Sequence, residues 1–544
     1  VAMLSAPRKT KTRRSINMSQ ELDYLNRRFA AGRLSRREFL GRATALGVSA
    51  AFANSLLAGA TMAQTPKRGG ILKAGLGGGA ATDSIDPAKA IEVMSFFVKC
   101  WGEYLVALKA DGGLENRIAE EIGSSKDAKV WTFKIRQGVE FHNGKTVTAQ
   151  DVVATLARHS DKDSESGAQG ILSGIESLKA DGRDVVVTLK EPNAEFPYLM
   201  VDYHLVIQPN GGKDNPAEGI GAGPYKLAAN QPGVRHGGDR FANFWQSDKM
   251  GFADQIEIVV INDTTARVSA LQAGQVHMIN RVETKVVDFI KRVPNLKIET
   301  VSASGQYVFN MFCDTAPFDN NDLRMALKLA VDRQEMVDKI LRGYGTVGND
   351  FPINASQPLF PEGIEQRTFD PDKAKFHYQK SGHSGPILLR TSEVAFPGAV
   401  DAAQLFQQSA AKAGIAIDVK REPGDGYWPD VWNKQPFSAS NWGPRATQGM
   451  MYSTAYRSTA PWNDTHFFNA KFDKLLTEAL GELDQDKRKN LYREMALIVR
   501  DEGGTIVPLF YQAIDAISDR VGGYVGRIES LMNGYAFSQC WLEA

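Results

Sequence analysis

Along residues 131–136 apolar and polar side chains alternate strictly, with Trp131, Phe133 and Ile135 on one side and Thr132, Lys134 and Arg136 on the other. This period of two predicts a half-buried strand ending near Gly138. Val139 and Phe141 continue the alternation into Asn143-Gly144, a strong turn signal. Thr148 then caps a helix predicted over 149–159, with Asp151 favourable in its first turn. The unit reads as a hairpin followed by a helix.

The same alternation returns at Ile256, Ile258 and Val260, and leads into a helix carrying Val268 and Leu271 and terminated at Gly274. From Asn321 the spacing turns helical. Leu323, Ala326, Leu327 and Ala330 share one face, and Asp332 starts a second helix predicted to reach Gly343. Another helical pair opens at Asn469 and at Asp484, followed by strand-like Ile506, Val507, Leu509 and Tyr511. Strands alternating with helices, without a short-period repeat, give a mixed α/β protein of several lobes.

Length agrees with that count, since 544 residues exceed what one core supports and point to roughly three folding units. With 43% hydrophobic and 23% charged residues the chain can bury large cores without metals or disulfides. Cys100, Cys313 and Cys540 allow at most one intramolecular disulfide and form no CxxC motif. The formal charge of +1 is uneven, because residues 1–63 hold 11 Lys/Arg against 3 Asp/Glu and leave the remainder at −7. A mildly acidic body offers no electrostatic footprint for nucleic acid.

The basic segment has its own logic. Ser35-Arg36-Arg37-Glu38-Phe39-Leu40 precedes a weakly apolar run from Ala43 to Ala60, rich in Ala, Gly and Ser. This resembles a twin-arginine export signal, departing from it at Gly41, where a Lys is common. Such a run would make a poor membrane span. Ala58-Gly59-Ala60 and Thr61-Met62-Ala63 both fit a small-x-small cleavage site. No cysteine sits at that junction, so the expected product is soluble and periplasmic, cleaved near Ala60 or Ala63. Met18 is a plausible start, closer to the arginines.

Four segments in order resemble the extracellular solute-binding proteins of family 5, which serve dipeptide, oligopeptide and nickel ABC transporters. They are Trp131-Thr-Phe-Lys-Ile-Arg-Gln-Gly-Val-Glu-Phe-His-Asn-Gly144 with Thr148-Ala-Gln-Asp-Val-Val153; Gly221-Ala-Gly-Pro-Tyr-Lys-Leu227; Asp254-Gln-Ile-Glu-Ile258 to Ala270-Leu-Gln-Ala-Gly-Gln-Val276; and Pro317-Phe-Asp-Asn, Leu323-Arg-Met-Ala-Leu-Lys-Leu-Ala-Val-Asp-Arg333 and Gly343-Tyr-Gly-Thr346. The resemblance covers residues 68–520 and implies the two-lobed α/β periplasmic-binding-protein fold (type II, cluster C), with an extra subdomain inserted in the first lobe. It places the leader at 1–63, lobe I at 64–105, 220–305 and 506–544, the insert at 106–219 and lobe II at 306–505. Tyr307 to Asn310 and Pro508 to Tyr511 then lie at the crossings. The implied function is solute capture by lobe closure and delivery to an ABC permease. The implied partners are a small-molecule or peptide ligand, the permease subunits and, during export, the twin-arginine translocase, with the protein acting as a monomer without a cofactor.

In peptide-binding relatives a Gly-Trp-x-x-Asp segment supplies an aromatic wall and a carboxylate for the ligand's ammonium group. The matching stretch here is Asn441-Trp442-Gly443-Pro444-Arg445. Trp442 keeps the wall, whereas Arg445 reverses the charge and suits an anionic group. The alternative is that Arg445 pairs with an acid such as Glu393 or Asp425, or sits in solvent. In the first lobe, Asp83 and Ser84 lie in the loop that often faces the cleft, and Tyr307 completes the candidate ligand-binding set. Tyr427, Trp428, Tyr452 and Trp462 are each expected in the core.

Two other functions would require motifs of their own. An exported enzyme finds little support, since the eight histidines are scattered and no HExxH, GxSxG or Walker pattern occurs. The glycine-rich stretch 75–80 lacks the helix and acid that a dinucleotide site needs. A nickel-chelate carrier would need a cluster of suitable ligands, and none is evident.

Overall fold

The strand Val130–Ile135 buries Trp131, Phe133 and Ile135 on one face, as its alternation dictates. It is central in a four-stranded antiparallel sheet, flanked by Ala119–Ser124 and Asp184–Leu189, with Ile175–Asp181 at the edge. Residues 139–147 fold back as a tight hairpin through the Glu140–Thr146 bridge, with Gly144 at φ +82°. The helix Ala149–Ser160 follows under a capping box: the Asp151 amide donates to Thr148 Oγ1 at 3.3 Å and the Thr148 amide to Asp151 Oδ2 at 3.0 Å. Its Val152 and Leu156 complete the core of this inserted subdomain. His142 in the hairpin pins the second motif segment, its Nε2 lying 3.0 Å from the Gly223 carbonyl oxygen. Burial lowers its imidazole to about 4, so it serves here as a neutral structural group.

The computed structural model describes residues 65–543 apart from 528–531 and 533. The arginine pair and both expected cleavage sites lie outside the described residues. Among the described residues no helix is long and apolar enough to cross a membrane.

An 11-stranded sheet runs through both lobes. In the first, Ile71–Leu76 lies between parallel partners Gln255–Val260 and Met278–Ile279, and Arg235–Arg240 and Tyr225–Gln231 extend the sheet antiparallel. In the second, Ile387–Thr391 pairs parallel with Ile417–Arg421 and Phe437–Trp442. Two long antiparallel strands, Leu296–Met311 and Thr505–Ser518, join the halves. Their ladder is continuous from Leu296–Ser518 to Ser302–Gln512, breaks, and resumes at Gln306–Phe510. The break at 303–305 stands opposite Tyr511 and just ahead of the stretch Tyr307 to Asn310.

Helices cover the second lobe. Asn320 caps Asn321–Leu329 and Asp332 caps Arg333–Lys339, and Leu323, Ala326, Leu327 and Ala330 are all fully buried. The second of these helices stops short of Gly343, because Arg342 and Gly343 turn the chain at φ +51° and +82°. Asn469 and Asp484 cap Ala470–Gly481 and Gln485–Glu502. Beneath them, buried Asp350 takes 2.6 Å contacts from both Arg333 and Arg367 and a 3.0 Å bond from the Val507 amide. Arg333, which ends the Leu323–Arg333 run of the fourth motif segment, therefore ties a helix start to a crossing strand. All three cysteines are free thiols.

Candidate binding cleft

Ligands of parallel-stranded α/β folds gather at the carboxyl ends of the strands. In the first lobe these ends are Leu76, Val260 and Ile279. Asn280 Oδ1 and Asn262 Oδ1 accept from the amides of Gly77 and Gly78, both at 2.9 Å, so side chains of the same lobe occupy the glycine-rich loop. Buried Arg267 fastens the neighbouring loops, donating to the carbonyls of Ile261 at 2.8 Å and Asn262 at 3.0 Å.

Asp83 and Ser84 follow that loop. Asp83 is buried and turned into its own lobe. Its Oδ2 accepts from the Ala80 amide at 3.1 Å and lies 3.6 Å from His236 Nε2. Ser84 is half-buried and its Oγ accepts from the Asp86 amide at 3.2 Å. Asp86 in turn holds Arg158 of the insert at 2.6 Å. The first-lobe pair thus shapes the loop.

In the second lobe the strand Phe437–Trp442 places Trp442 opposite Gln306 and Asn441 opposite Tyr307. Alternation sends neighbouring residues to opposite faces. Tyr307 stacks on Phe396 with ring centroids 4.2 Å apart, while Asn441 Nδ2 donates to the Ala395 carbonyl at 2.6 Å. Burial raises the Tyr307 phenol well above its ordinary value. On the other face Trp442 meets Trp432 at 6.4 Å and Trp462 at 6.1 Å. Trp432 Nε1 donates to Asp464 Oδ2 at 2.9 Å. Burial pushes the Asp464 carboxyl up to about 6, against the opposing pull of Trp432, Asn310 and Trp442.

Arg445 lies beyond the end of this strand, at the break between the lobes. Its amide donates to Ser304 Oγ at 3.1 Å, and its carbonyl accepts from Gln357 Nε2 at 3.3 Å. The guanidinium Nη1 reaches only the carbonyls of Gly443 and Pro444, at 3.3 and 3.2 Å, and Cζ sits 6.0 Å from the Trp442 ring. Burial lowers its pKa, while Tyr511 and Asp202 of the insert oppose that shift electrostatically. Among the described residues it forms no ion pair, and Glu393 lies 3.8 Å from Arg421 instead. Gly443 leaves open space, the nearest atom to an added Cβ being Arg445 Nη1 at 3.8 Å.

Trp442, Gly443 and Arg445 therefore stand together, Asn441 and Tyr307 back them from the opposite face, and no hydrogen bond or ion pair joins them to Asp83 or Ser84. Tyr427 and Tyr452 are core residues, as expected. Trp428 and Trp462 are not, being 40% and 50% exposed. Sequence reading missed Asp202, Ser304 and Gln357, which reach Arg445 from 243, 141 and 88 positions away along the chain and carry no local signal.

A family profile described as "Bacterial extracellular solute-binding proteins, family 5 Middle" matches residues 113–464. The oligopeptide-binding protein OppA of Bacillus subtilis is 25% identical over 465 residues, 77% of this chain and 83% of its own. The glutathione-binding protein GsiB of Salmonella typhi is 25% identical over 478 residues, 81% and 89% of the two chains. Among solved structures, HbpA2 from Haemophilus parasuis superposes with a TM-score of 0.76 at 20% identity, covering 87% of this chain and all of that one.

Proposed function

From the premise that the chain belongs to the bacterial extracellular solute-binding proteins of family 5, we propose that it is the periplasmic substrate-binding component of an ABC importer. It captures a peptide or peptide-like solute between its lobes and presents the closed form to the permease. A solute touching both lobes binds the closed form more tightly and shifts the population by that difference. Relatives named for oligopeptide and for glutathione binding support this class of solute.

The single observation that carries the solute's character is Arg445, a half-buried guanidinium that forms no ion pair among the described residues and whose pKa burial lowers, beside Trp442. A charge withdrawn from water calls for a counter-charge. The solute supplies it as a carboxylate or similar anionic group on Arg445, with Trp442 and Gly443 forming the wall and floor and Asn441 and Tyr307 supporting them. Asp83 and Ser84 contribute through the shape of the first-lobe loop.

Native mass spectrometry of the purified protein tests this reading by identifying the retained solute. Titration of that solute into Arg445→Ala is expected to show an affinity loss of about tenfold or more, the weight of one charge-assisted hydrogen bond. A retained peptide whose free amine meets position 445, or an unchanged dissociation constant, sinks it. Export through the twin-arginine route, with cleavage near Ala60 or Ala63, is part of the proposal. Amino-terminal sequencing of the periplasmic protein, with and without a working translocase, checks that part.

A further inference from the structure

Glu195 belongs to the loop that closes the insert's core, between Ala194 and Phe196. Its carboxylate is buried, yet its hydrogen-bond donors come from the second lobe. Thr447 Oγ1 donates to Oε2 and Tyr492 Oη to Oε1, the latter at 2.6 Å. Burial pushes the Glu195 carboxyl above its ordinary value, and a backbone bond from Gly449 and the nearby charge of Arg488 join the two hydroxyls in opposing that shift. The socket is tailored to the acid, because a Cβ at Gly449 would lie 2.3 Å from Glu195 Oε2 and 2.8 Å from Tyr492 Oη. Beside it the Ala194 amide donates to the Leu480 carbonyl at 2.5 Å. Asn193 Oδ1 holds the loop in shape by accepting from the Glu195 amide at 2.9 Å.

A carboxylate has no reason to leave water for an apolar interface unless the interface satisfies it. We infer that Glu195 is a closure latch, a carboxylate carried by the insert that docks in the Thr447–Gly449–Tyr492 socket of the second lobe and sets the open–closed balance before solute is present. This rests on the reading that the lobes open and close. Parting them would release the acid and both hydroxyls to water, so the latch adds a solute-independent contribution to the closed form. The affinity for any solute inherits that contribution, since it depends on the fraction of protein already competent to bind.

The test uses the full-length protein freed of solute by unfolding and refolding, and reads two quantities: the radius of gyration from small-angle X-ray scattering and the hydrogen-exchange rate of the Ala194 amide. Glu195→Gln keeps the shape of the acid and removes its charge. Gly449→Ala fills the socket from the other side. Each is expected to enlarge the solute-free molecule and speed exchange at Ala194, and the double variant should exceed neither single by much, because both remove one contact. Wild-type values in the folded Gly449→Ala protein overturn the latch, and so does full additivity of the two changes. If Glu195→Gln fails to fold, Gly449→Ala alone decides. Because no solute is present, a failure here leaves the capture proposal standing, whereas an unexpected retained solute leaves the latch standing.

Discussion

Gly305 lies against the ring of Tyr511, so closely that a Cβ added there would stand 2.2 Å from Tyr511 Cζ. The contact sits where the two crossing strands lose their register, with Ser304 on one side of it holding Arg445. A methyl group at this point would displace the Tyr511 ring, which also packs against Tyr307 at a centroid distance of 5.1 Å. Gly305→Ala is therefore expected to cost about 1–3 kcal/mol by overpacking and to weaken solute binding as well. Urea unfolding and a titration with the retained solute check the two effects separately.

Asp350 is the shared counter-charge of two buried guanidiniums. Replacing it with Asn keeps the shape but leaves Arg333 and Arg367 without their common carboxylate. Breaking such a buried network costs about 3–5 kcal/mol. Urea unfolding at neutral pH is expected to show that loss, with little change in solute specificity, because the site lies under the capping helices and away from Arg445.

Asp464 gives the molecule an acid-range titration. Its folded value of about 6 lies above the ordinary aspartate value, so the folded state holds the proton more tightly than the unfolded chain. The resulting stabilisation is complete below the unfolded value and is lost as pH rises through 6. Over that window wild type should lose on the order of 3 kcal/mol relative to Asp464→Asn. The same proton is expected to appear as a tryptophan fluorescence transition near pH 6, reported by Trp432 and Trp442 and absent from the variant.

Trp442 and Trp462, whose rings meet at 6.1 Å, should separate by burial. Trp442 is 5% exposed, and its replacement by Ala is expected to cost about 3–5 kcal/mol. Trp462, half exposed, should cost well under half of that. Thermal unfolding of the two variants under one buffer tests the ordering, and equal losses would contradict the placement of Trp462 at the rim.

Legibility in the sequence followed the range of the interactions. The strand at 130–135 and the Thr148 cap are written in residues a few positions apart, and both stand close to their expected bounds, while the return bond from the Thr148 amide to Asp151 is added by the structure. The helix starts at Asp332, Asn469 and Asp484 are likewise local. The helix after Asp332 ended early because a positive-φ pair, Arg342 and Gly343, turns the chain, and pattern alone placed the stop only at the glycine. Arg445 and Trp442 were found through one short segment. What surrounds them was not, because Asp202, Ser304 and Gln357 converge from three separate regions of the fold. Glu195 was invisible for the same reason: its socket is assembled from residues some 250 to 300 positions later. Trp428 and Trp462 show the converse error, since large aromatics are ordinarily expected in a core, whereas Trp428 sits in the short helix Tyr427–Asp430 and Trp462 in the loop before Ala470–Gly481, both exposed.

The interruption of the ladder at 303–305 has a mechanical meaning. A sheet resists bending because each rung is a hydrogen bond that would have to stretch, and a sheet shared by two moving bodies would ordinarily oppose their motion along its whole length. Here the pairing skips 303–305, so this stretch of the crossing offers fewer rungs to stretch than the paired stretch before it and forms a crease in the sheet. A swing about that crease would leave the pairings from Leu296 to Ser302 untouched on one side, while on the other the ladder shifts register once more between Tyr307 and Phe309. The work of capture is then spent on the faces that meet, and almost none on deforming the protein that carries them.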